Sequence, residues 1–318
     1  MASLAGFKKV VVSGAAGFVG SNLVRRLLEN GLEVHILVKP QSDLWRLDDL
    51  TPYLHQHHTD LSKQSSLKQL MEKIVPDGIF HLAASLCTDD WESGDDLIEN
   101  NFKATVNLMN AALDLKYKFF VNTGSFVEYK LKKGAVRESD PCEPQEIYGI
   151  TKLAGTLYGQ AMARIHKKPI ITFRLFTPYG PYIQKGRLIY EIANRALANQ
   201  DIELTKPTVA RDFIFIDDIV DLYLEGASRA QTNGGEVFNL GSGSKFSIEQ
   251  VADQVLALTN SHSKIVWNSF PTASYDSPDW QADMEKTFAS FEWRPRHSFP
   301  AGLKKTIEWL SLNKKRYK

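Results

Sequence analysis

A phenol and an ammonium four residues apart, in Ile147-Tyr148-Gly149-Ile150-Thr151-Lys152, form the pair in this chain best suited to moving a proton. On a helix that spacing sets both side chains on one face, about one turn apart. A free tyrosine ionises near pH ~10 and exchanges its proton poorly at neutrality; a neighbouring ammonium favours the phenolate and brings the exchange within reach. Tyr-x-x-x-Lys is frequent by chance, and by itself it describes a solvent-facing stretch of helix better than a catalytic pair. Its weight comes from a second feature, Gly14-Ala15-Ala16-Gly17-Phe18-Val19-Gly20. Glycines at that spacing, between a strand and a helix, allow a tight turn, a close backbone approach to a pyrophosphate and close helix packing. The helix then turns its first N–H groups and the positive end of its dipole toward the anion. A structural glycine turn without a ligand has the same spacing.

The next strand bears on which dinucleotide would bind. In NAD-binding units an acidic side chain at the end of the second strand takes the adenosine ribose hydroxyls. Here those residues read Ile36-Leu37-Val38-Lys39-Pro40, with a cation and no acid. Lys39, with Ser42 and Arg46, suits a 2′-phosphate, so NADP(H) is favoured over NAD(H). The alternative leaves Lys39 and Arg46 solvated and gives the ribose to Asp43.

The elements that must position these groups follow from a βαβ rhythm, the mark of an α/β fold of the Rossmann type with a doubly wound parallel sheet. Strands are expected at Val10–Val12, Glu33–Val38, Tyr53–His58, Gly78–Leu82, Phe119–Thr123 and Ile170–Leu175. Helices are expected at Gly17–Asn30, closed by Gly31, and at Ser66–Ile74, Leu97–Leu113 and Tyr148–His166. After Tyr179-Gly180-Pro181 the rhythm breaks, which divides the chain into a dinucleotide-binding domain at 1–177 and a mainly substrate-binding lobe at 178–318. Segments within 211–240, a helix at Ile214–Ser228 and a strand at Val237–Leu240, are expected to return to the first domain. Leu303, Ile307 and Leu310 mark a packing helix near the end.

Composition removes several classes. Thirty-eight Lys and Arg balance 37 Asp and Glu for a net charge of +1, leaving no field suited to nucleic acid or an anionic membrane. No apolar run reaches the ~18 residues of a membrane span, and no secretory leader is legible, so a cytoplasmic protein is expected. Cys87 and Cys142 form no CxxC pair. His55, His57 and His58 enter a strand edge without a cluster of acids or cysteines nearby, and no metal site is expected.

Further motifs occur in order: Asp60-Leu61, His81-Leu82-Ala83-Ala84, Asn101 ahead of Thr105, Thr123-Gly124-Ser125, Arg174-Leu175-Phe176-Thr177-Pro178-Tyr179-Gly180-Pro181 and Arg211-Asp212-Phe213-Ile214-Phe215-Ile216-Asp217-Asp218. With the glycine turn and Tyr148-x-x-x-Lys152, they make nearly the whole chain resemble the extended short-chain dehydrogenase/reductase family, the nucleotide-sugar epimerases, dehydratases and ketoreductases. The resemblance implies a catalytic set of Ser125, Tyr148 and Lys152, with Ser125 bonding the reacting sugar oxygen and Lys152 also binding the nicotinamide ribose. It implies a cofactor site of Gly14, Gly17, Phe18, Val19 and Gly20, with Asp60 and Leu61 at the adenine, Leu82, Ala83 and Ala84 under the pyrophosphate, and Asn101 and Thr123 nearby. Arg211 is implied at the nucleotide diphosphate, with Arg187, Thr177, Cys87 and Thr88 as further substrate-binding candidates.

Within that family the 4,6-dehydratases carry an Asp-Glu pair directly after the catalytic Ser/Thr, where this chain has Phe126 and Val127. Elimination of water is therefore disfavoured. The reading is an NADPH-dependent reductase of a nucleotide-linked 4-keto-6-deoxyhexose, with a nucleotide-sugar 4-epimerase holding NAD(P) second and an NADP-sensing protein third. Two departures bear on the substrate pocket: Thr177 stands where many relatives have asparagine, and Tyr275-Asp276-Ser277-Pro278 where many have Arg-Pro. The resemblance also implies a homodimer built on the helices at Leu97–Leu113 and Tyr148–His166.

Overall fold

A computed structural model describes residues 6–85, 94–273, 276–277 and 279–317. Apolar strands alternate with amphipathic helices through its first half. β1 (Lys9–Ser13) leads into α1 (Phe18–Glu29), followed by β2 (Glu33–Val38), β3 (Leu54–His58), α2 (Gln64–Ile74) and β4 (Gly78–His81). Then come α3 (Gly94–Leu97), a π-helical stretch at Ile98–Lys103, α4 (Ala104–Ala111), β5 (Phe119–Ser125), α5 (Ile147–His166) and β6 (Ile170–Leu175). The later chain adds β7 (Thr177–Tyr179), α6 (Leu188–Ala196), β8 (Ile202–Glu203), β9 (Ala210–Phe215), α7 (Ile216–Arg229) and β10 (Val237–Leu240). It closes with β11 (Lys245–Ser247), α8 (Ile248–Thr259), β12 (Ile265–Val266), α9 (Glu285–Ser290) and α10 (Phe299–Asn313).

Among the described residues a seven-stranded sheet runs β10-β6-β5-β4-β1-β2-β3, and β1 pairs in parallel with both β2 and β4. The strand order turns back at β1, and in open α/β sheets ligands bind beyond the strand ends at such a point. Val10, Val11 and Val12 are wholly buried, as expected of a central parallel strand covered on both faces. On one face, Leu67 and Met71 of α2, Leu108 of α4 and Met162 of α5 close over Val11 and Phe120. α7 packs so near β6 that a Cβ on Gly226 would stand 2.5 Å from the Phe173 ring. α1 is capped by Asn30, after which Gly31 takes a φ of +75° that a side chain would oppose. β3 is an edge strand, and its sequence Leu54-His55-Gln56-His57-His58 is correspondingly polar.

The chain divides into two compact units, Met1–Lys130, Pro141–Leu175 and Val220–Phe238 in the first, and Leu131–Asp140, Phe176–Ile219 and Asn239–Lys318 in the second. This departs in two respects from the expected division at 177/178 with segments within 211–240 returning to the first domain. Residues 131–140 join the second unit because Val136 donates its N–H to Gln281 O (2.9 Å) and its carbonyl accepts from Asn239 Nδ2 (2.9 Å). Within 211–240, only Val220–Phe238 returns to the first unit, since β9 is committed between β7 and β11. That second unit is built around rings: Tyr179 packs against Phe213, Phe215 and Phe299, and its hydroxyl donates to Phe299 O at 3.2 Å. Among the described residues, no helix is long and apolar enough to cross a membrane.

Candidate active site

The turn between β1 and α1 is made of backbone pressed on backbone. Gly14 has a φ of +72°, and a Cβ there would lie 2.5 Å from Ala83 N; a Cβ on Gly20 would lie 2.1 Å from Gly14 O. Both positions therefore require glycine. The same approach carries Leu82 and Ala83 beside the turn, Leu82 N donating to Ser13 O at 3.1 Å. Gly17 caps α1 with no side chain of its own, and the first turn, Phe18-Val19-Gly20, carries no acid. Its outward N–H groups are thus left for an anion, which is what the pyrophosphate of a dinucleotide offers.

At the ends of β2 and β3 the sequence-predicted adenosine residues gather. Arg46 Nη1 lies 3.4 Å from Ala16 O of the glycine turn, its guanidinium stacked 4.4 Å above the Trp45 ring. Arg25 holds that loop with paired 2.6 Å bonds to Asp49 and a 2.7 Å bond to Arg46 O. Lys39 Nζ donates to Asn100 Oδ1 at 2.9 Å. Asp43, the alternative ribose ligand, accepts from Trp45 N at 3.0 Å within its own loop. The Ser62 N–H bonded to Asp60 holds that carboxyl below the usual range against the opposing effect of burial, with Lys39 adding to the lowering. Asn107 Nδ2 fixes the following turn through the carbonyls of Leu61 and Ser62 at 2.9 and 2.8 Å.

The end of β5 carries the acid–base candidates. Ser125 caps the 3-10 turn Phe126–Glu128: its hydroxyl accepts from Val127 N at 3.5 Å while Glu128 accepts from Ser125 N at 2.8 Å. Glu128 is fully buried, and also takes Thr156 Oγ1 at 3.0 Å and Arg174 Nε at 2.8 Å. Arg174 lies 4.4 Å over the Tyr129 ring and 3.1 Å from Cys142 Sγ. Lys152 on α5 is buried as well; desolvation pushes its ammonium down to about 8, and the charge of Glu128 works in the opposite direction. One turn earlier, Tyr148 is close enough to Tyr223 for its charge to add to the burial that raises the Tyr223 phenol. Tyr223 itself bonds Thr123 at 3.0 Å. A Cβ on Gly149 would meet Val127 O at 2.7 Å, so the turn bearing Tyr148 presses directly on the turn capped by Ser125.

His81 supports this arrangement from below. Thr105 gives its hydroxyl proton to Asn101 O (2.6 Å), so it accepts from His81 Nε2 (2.8 Å), and His81 Nδ1 accepts in turn from Ser13 Oγ (2.6 Å). Burial pushes the imidazole down to about 3, with Lys152 adding to it, so His81 stays neutral. Asn101, in the π-helical stretch, accepts from Ser85 N (2.7 Å) and donates to Ser85 O (3.0 Å) and Thr151 Oγ1 (3.2 Å). Thr151 donates to Tyr148 O (2.8 Å), which ties the loop after β4 to the start of α5. Single wide turns of this kind occur often at functional sites.

The first unit thus brings together the predicted cofactor residues and Ser125, Tyr148 and Lys152. Glu128, Arg174 and Tyr223 join them although sequence reasoning assigned them no role. The available signal was charge in buried company: an acid following Phe126-Val127, and an arginine inside the apolar strand Ile170–Leu175. The substrate candidates Thr177, Arg187 and Arg211 belong to the second unit. Thr177 lies in β7 opposite Phe213, and Arg187 is exposed ahead of α6. Arg211 forms an ion pair with Asp276, within the segment that replaces the family's Arg-Pro. Asp212 instead takes Ser242 N and Oγ, Gly243 N and Ala282 N. Cys87 and Thr88 lie outside the described residues.

Burial of Lys152 has a measurable signature. With its pKa near 8 in the fold against an ordinary 10.5, the ammonium is present at neutral pH and lost above about 8. Turnover that depends on this charge should fall across that limb, as a pH profile of kcat/KM would register. Stability moves the other way: between about 8 and 10.5 the unfolded chain binds the extra proton, so the Lys152 contribution to folding improves with rising pH.

The family model described as NAD dependent epimerase/dehydratase family matches residues 10–241. A UDP-N-acetyl-alpha-D-glucosaminuronate decarboxylase of Bacillus cytotoxicus is 29% identical over 329 residues, covering 95% of this chain and 98% of the relative. The epimerase Mth375 of Methanothermobacter thermautotrophicus superposes with a TM-score of 0.89 at 25% identity, covering 97% of this chain and 94% of that one. MoeE5, solved in complex with UDP-glucose and NAD, superposes at 0.85 with 27% identity over 96% of this chain and 99% of its own.

Proposed function

Because the chain belongs to the NAD dependent epimerase/dehydratase family, we propose that it acts on a nucleotide-linked sugar with a nicotinamide cofactor, as an NADPH-dependent reductase of a 4-keto-6-deoxyhexose. The observation that carries the reductive half of this reading is the pair of cations at the adenosine end. Arg46 borders the glycine turn and Lys39 follows Val38, where an NAD site would present a carboxylate. A reductase consumes a dissociable NADPH, whereas an epimerase regenerates its cofactor at every turnover and keeps it.

The glycine turn would hold the pyrophosphate of a nicotinamide cofactor, which would supply the hydride for reduction of the sugar ketone. The chain supplies the proton and the positioning. Ser125 donates its hydroxyl hydrogen to the carbonyl oxygen, and Tyr148 hands over the phenolic proton as that oxygen gains charge. Lys152 stabilises the phenolate left behind and bonds the nicotinamide ribose. Buried Phe126 and Val127 offer no acid or base for dehydration, and the Glu128 carboxylate is already engaged by Ser125, Thr156 and Arg174. Arg211 would reach the diphosphate by exchanging Asp276 for it, a guanidinium suiting either anion.

A nucleotide-sugar 4-epimerase is the second reading, favoured by the NAD and UDP-glucose held in MoeE5. Self-association through α5, where Ile150 and Leu157 are exposed, accompanies either reading.

The test is oxidation of NADPH and NADH with a panel of nucleotide-linked 4-ketohexoses. NADPH should be preferred, and Arg46→Ala should raise KM for NADPH about tenfold or more while leaving KM for NADH nearly unchanged, the loss expected for one charge-assisted bond to phosphate. Interconversion of two nucleotide hexoses with no net consumption of cofactor would replace the reductase reading by the epimerase.

A further inference from the structure

At the β3 edge of the large sheet, imidazoles and a carboxylate converge in an arrangement the proposed chemistry does not use. The parallel register of β2 and β3 sets His35 directly opposite His55 and Leu37 opposite His57. His35 stacks on His55 at 4.5 Å and on His57 at 5.2 Å, the latter pair within 2° of parallel. Glu33, two residues before His35 and on the same face of β2, brings Oε1 to 2.7 Å from His35 Nε2 and 3.8 Å from His55 Nε2. These three donor atoms lie within 4.8 Å of one another. The sequence had offered the histidines of β3 no cluster of acids; pairing with β2 supplies both the acid and a third ring.

We propose that Glu33, His35 and His55 bind a divalent transition cation of the zinc type, with His57 as the hydrogen-bond partner that orients His35. Two imidazole nitrogens and a carboxylate oxygen form a donor set such cations favour over Mg²⁺ or Ca²⁺. Metal–ligand bonds of about 2.1 Å in a tetrahedron put the ligand atoms roughly 3.4 Å apart. The 2.7 and 3.8 Å separations from Glu33 Oε1 bracket that spacing, and the side chain of His55 is 57% exposed.

The hydrogen bonds carry the tautomer change that binding requires. Without the cation, ionised Glu33 takes the Nε2 proton of His35, so His35 Nδ1 accepts from His57 Nε2 at 2.9 Å. With the cation on His35 Nε2, its proton sits on Nδ1 and is donated to His57 Nε2, which has moved its own proton to Nδ1. Metal-ligating histidines are held in this way by a second partner. Burial lowers the proton affinity of His35 and of His57. Glu33 is held below the usual carboxylate range chiefly by the bond from His35. Two cations oppose the site. Lys9 Nζ stands 3.5 Å from Glu33 Oε1, and Lys73 bears on His57. Lys9 has Ile74 O at 3.1 Å as an alternative partner.

The experiment is titration of the full chain, stripped with a chelator, with Zn²⁺ against a chromophoric competitor at pH 7.5. One equivalent should bind, with the proton NMR signals of His35, His55 and His57 shifting together. Glu33→Gln and His55→Asn, both at exposed positions, should each weaken binding about tenfold or more while the metal-free melting temperature stays that of the parent; His57→Asn should cost about tenfold through His35. His262→Asn should change nothing. No saturable binding, or the same affinity in Glu33→Gln and His55→Asn as in the parent, would overturn the site.

Discussion

Replacing Tyr148 by phenylalanine is expected to lower kcat about a thousandfold while leaving the Kd for NADPH within about threefold, because positioned proton transfer contributes roughly 10²–10⁴ and the phenol is not needed to hold the dinucleotide. The first turn of α5 should survive the change. Its position is set by Gly149 against Val127 O and by Thr151 bonded both to Tyr148 O and to Asn101, none of which involves the phenolic oxygen. Lys152→Met should behave differently, losing cofactor affinity together with turnover, since Lys152 is assigned to the ribose as well as to the phenolate. Steady-state rates beside an equilibrium fluorescence titration of NADPH separate the two patterns. A Tyr148→Phe enzyme retaining a tenth of the parent kcat would remove Tyr148 from the chemistry.

Glu128→Ala is expected to cost about 3–5 kcal/mol of stability, the effect of stripping one partner from a buried ion pair. The side chains of Glu128 and Arg174 are 0% and 5% exposed, so the guanidinium left behind would have neither a counter-charge nor water. Ser125 N and Thr156 Oγ1 would lose their acceptor at the same stroke. The double variant Glu128→Leu with Arg174→Met should recover much of that loss, because removing both charges removes the unpaired one. It should nonetheless remain impaired in kcat, since the cap that fixes Ser125 is gone. Urea unfolding of the two variants decides this: equal midpoints would mean that the pair is not what holds the end of β5.

Much of the fold could be read from local patterns. β2 and β6 have the limits that their apolar runs announce, and Gly31 ends the first helix in the conformation glycine is used for. The glycine turn was legible because its constraint, backbone against backbone, leaves a mark in residue type. What escaped reading depends on pairings distant in the chain. Glu128 and Arg174 are 46 residues apart, and nothing near either one names the other. His35 and His57 meet only through the register of β2 on β3, which a string of residues does not state. Residues 131–140 follow β5 closely in sequence, yet the hydrogen-bonding needs of Val136 are met by Gln281 and Asn239.

The wide stretch at Ile98–Lys103 has a consequence for chain length. One residue added to a regular helix swings everything after it through about 100°. Here such a swing would carry Thr105 away from His81 and Asn107 away from the carbonyls of Leu61 and Ser62. A π-bulge stores the surplus residue locally, so the helix can present Asn101 toward Ser85 and still deliver α4 to the sheet on its proper side. Deletion of a single residue should therefore be tolerated better at this point of the helix than elsewhere along it, which makes the stretch a joint where the chain can shorten while the packing stays in phase.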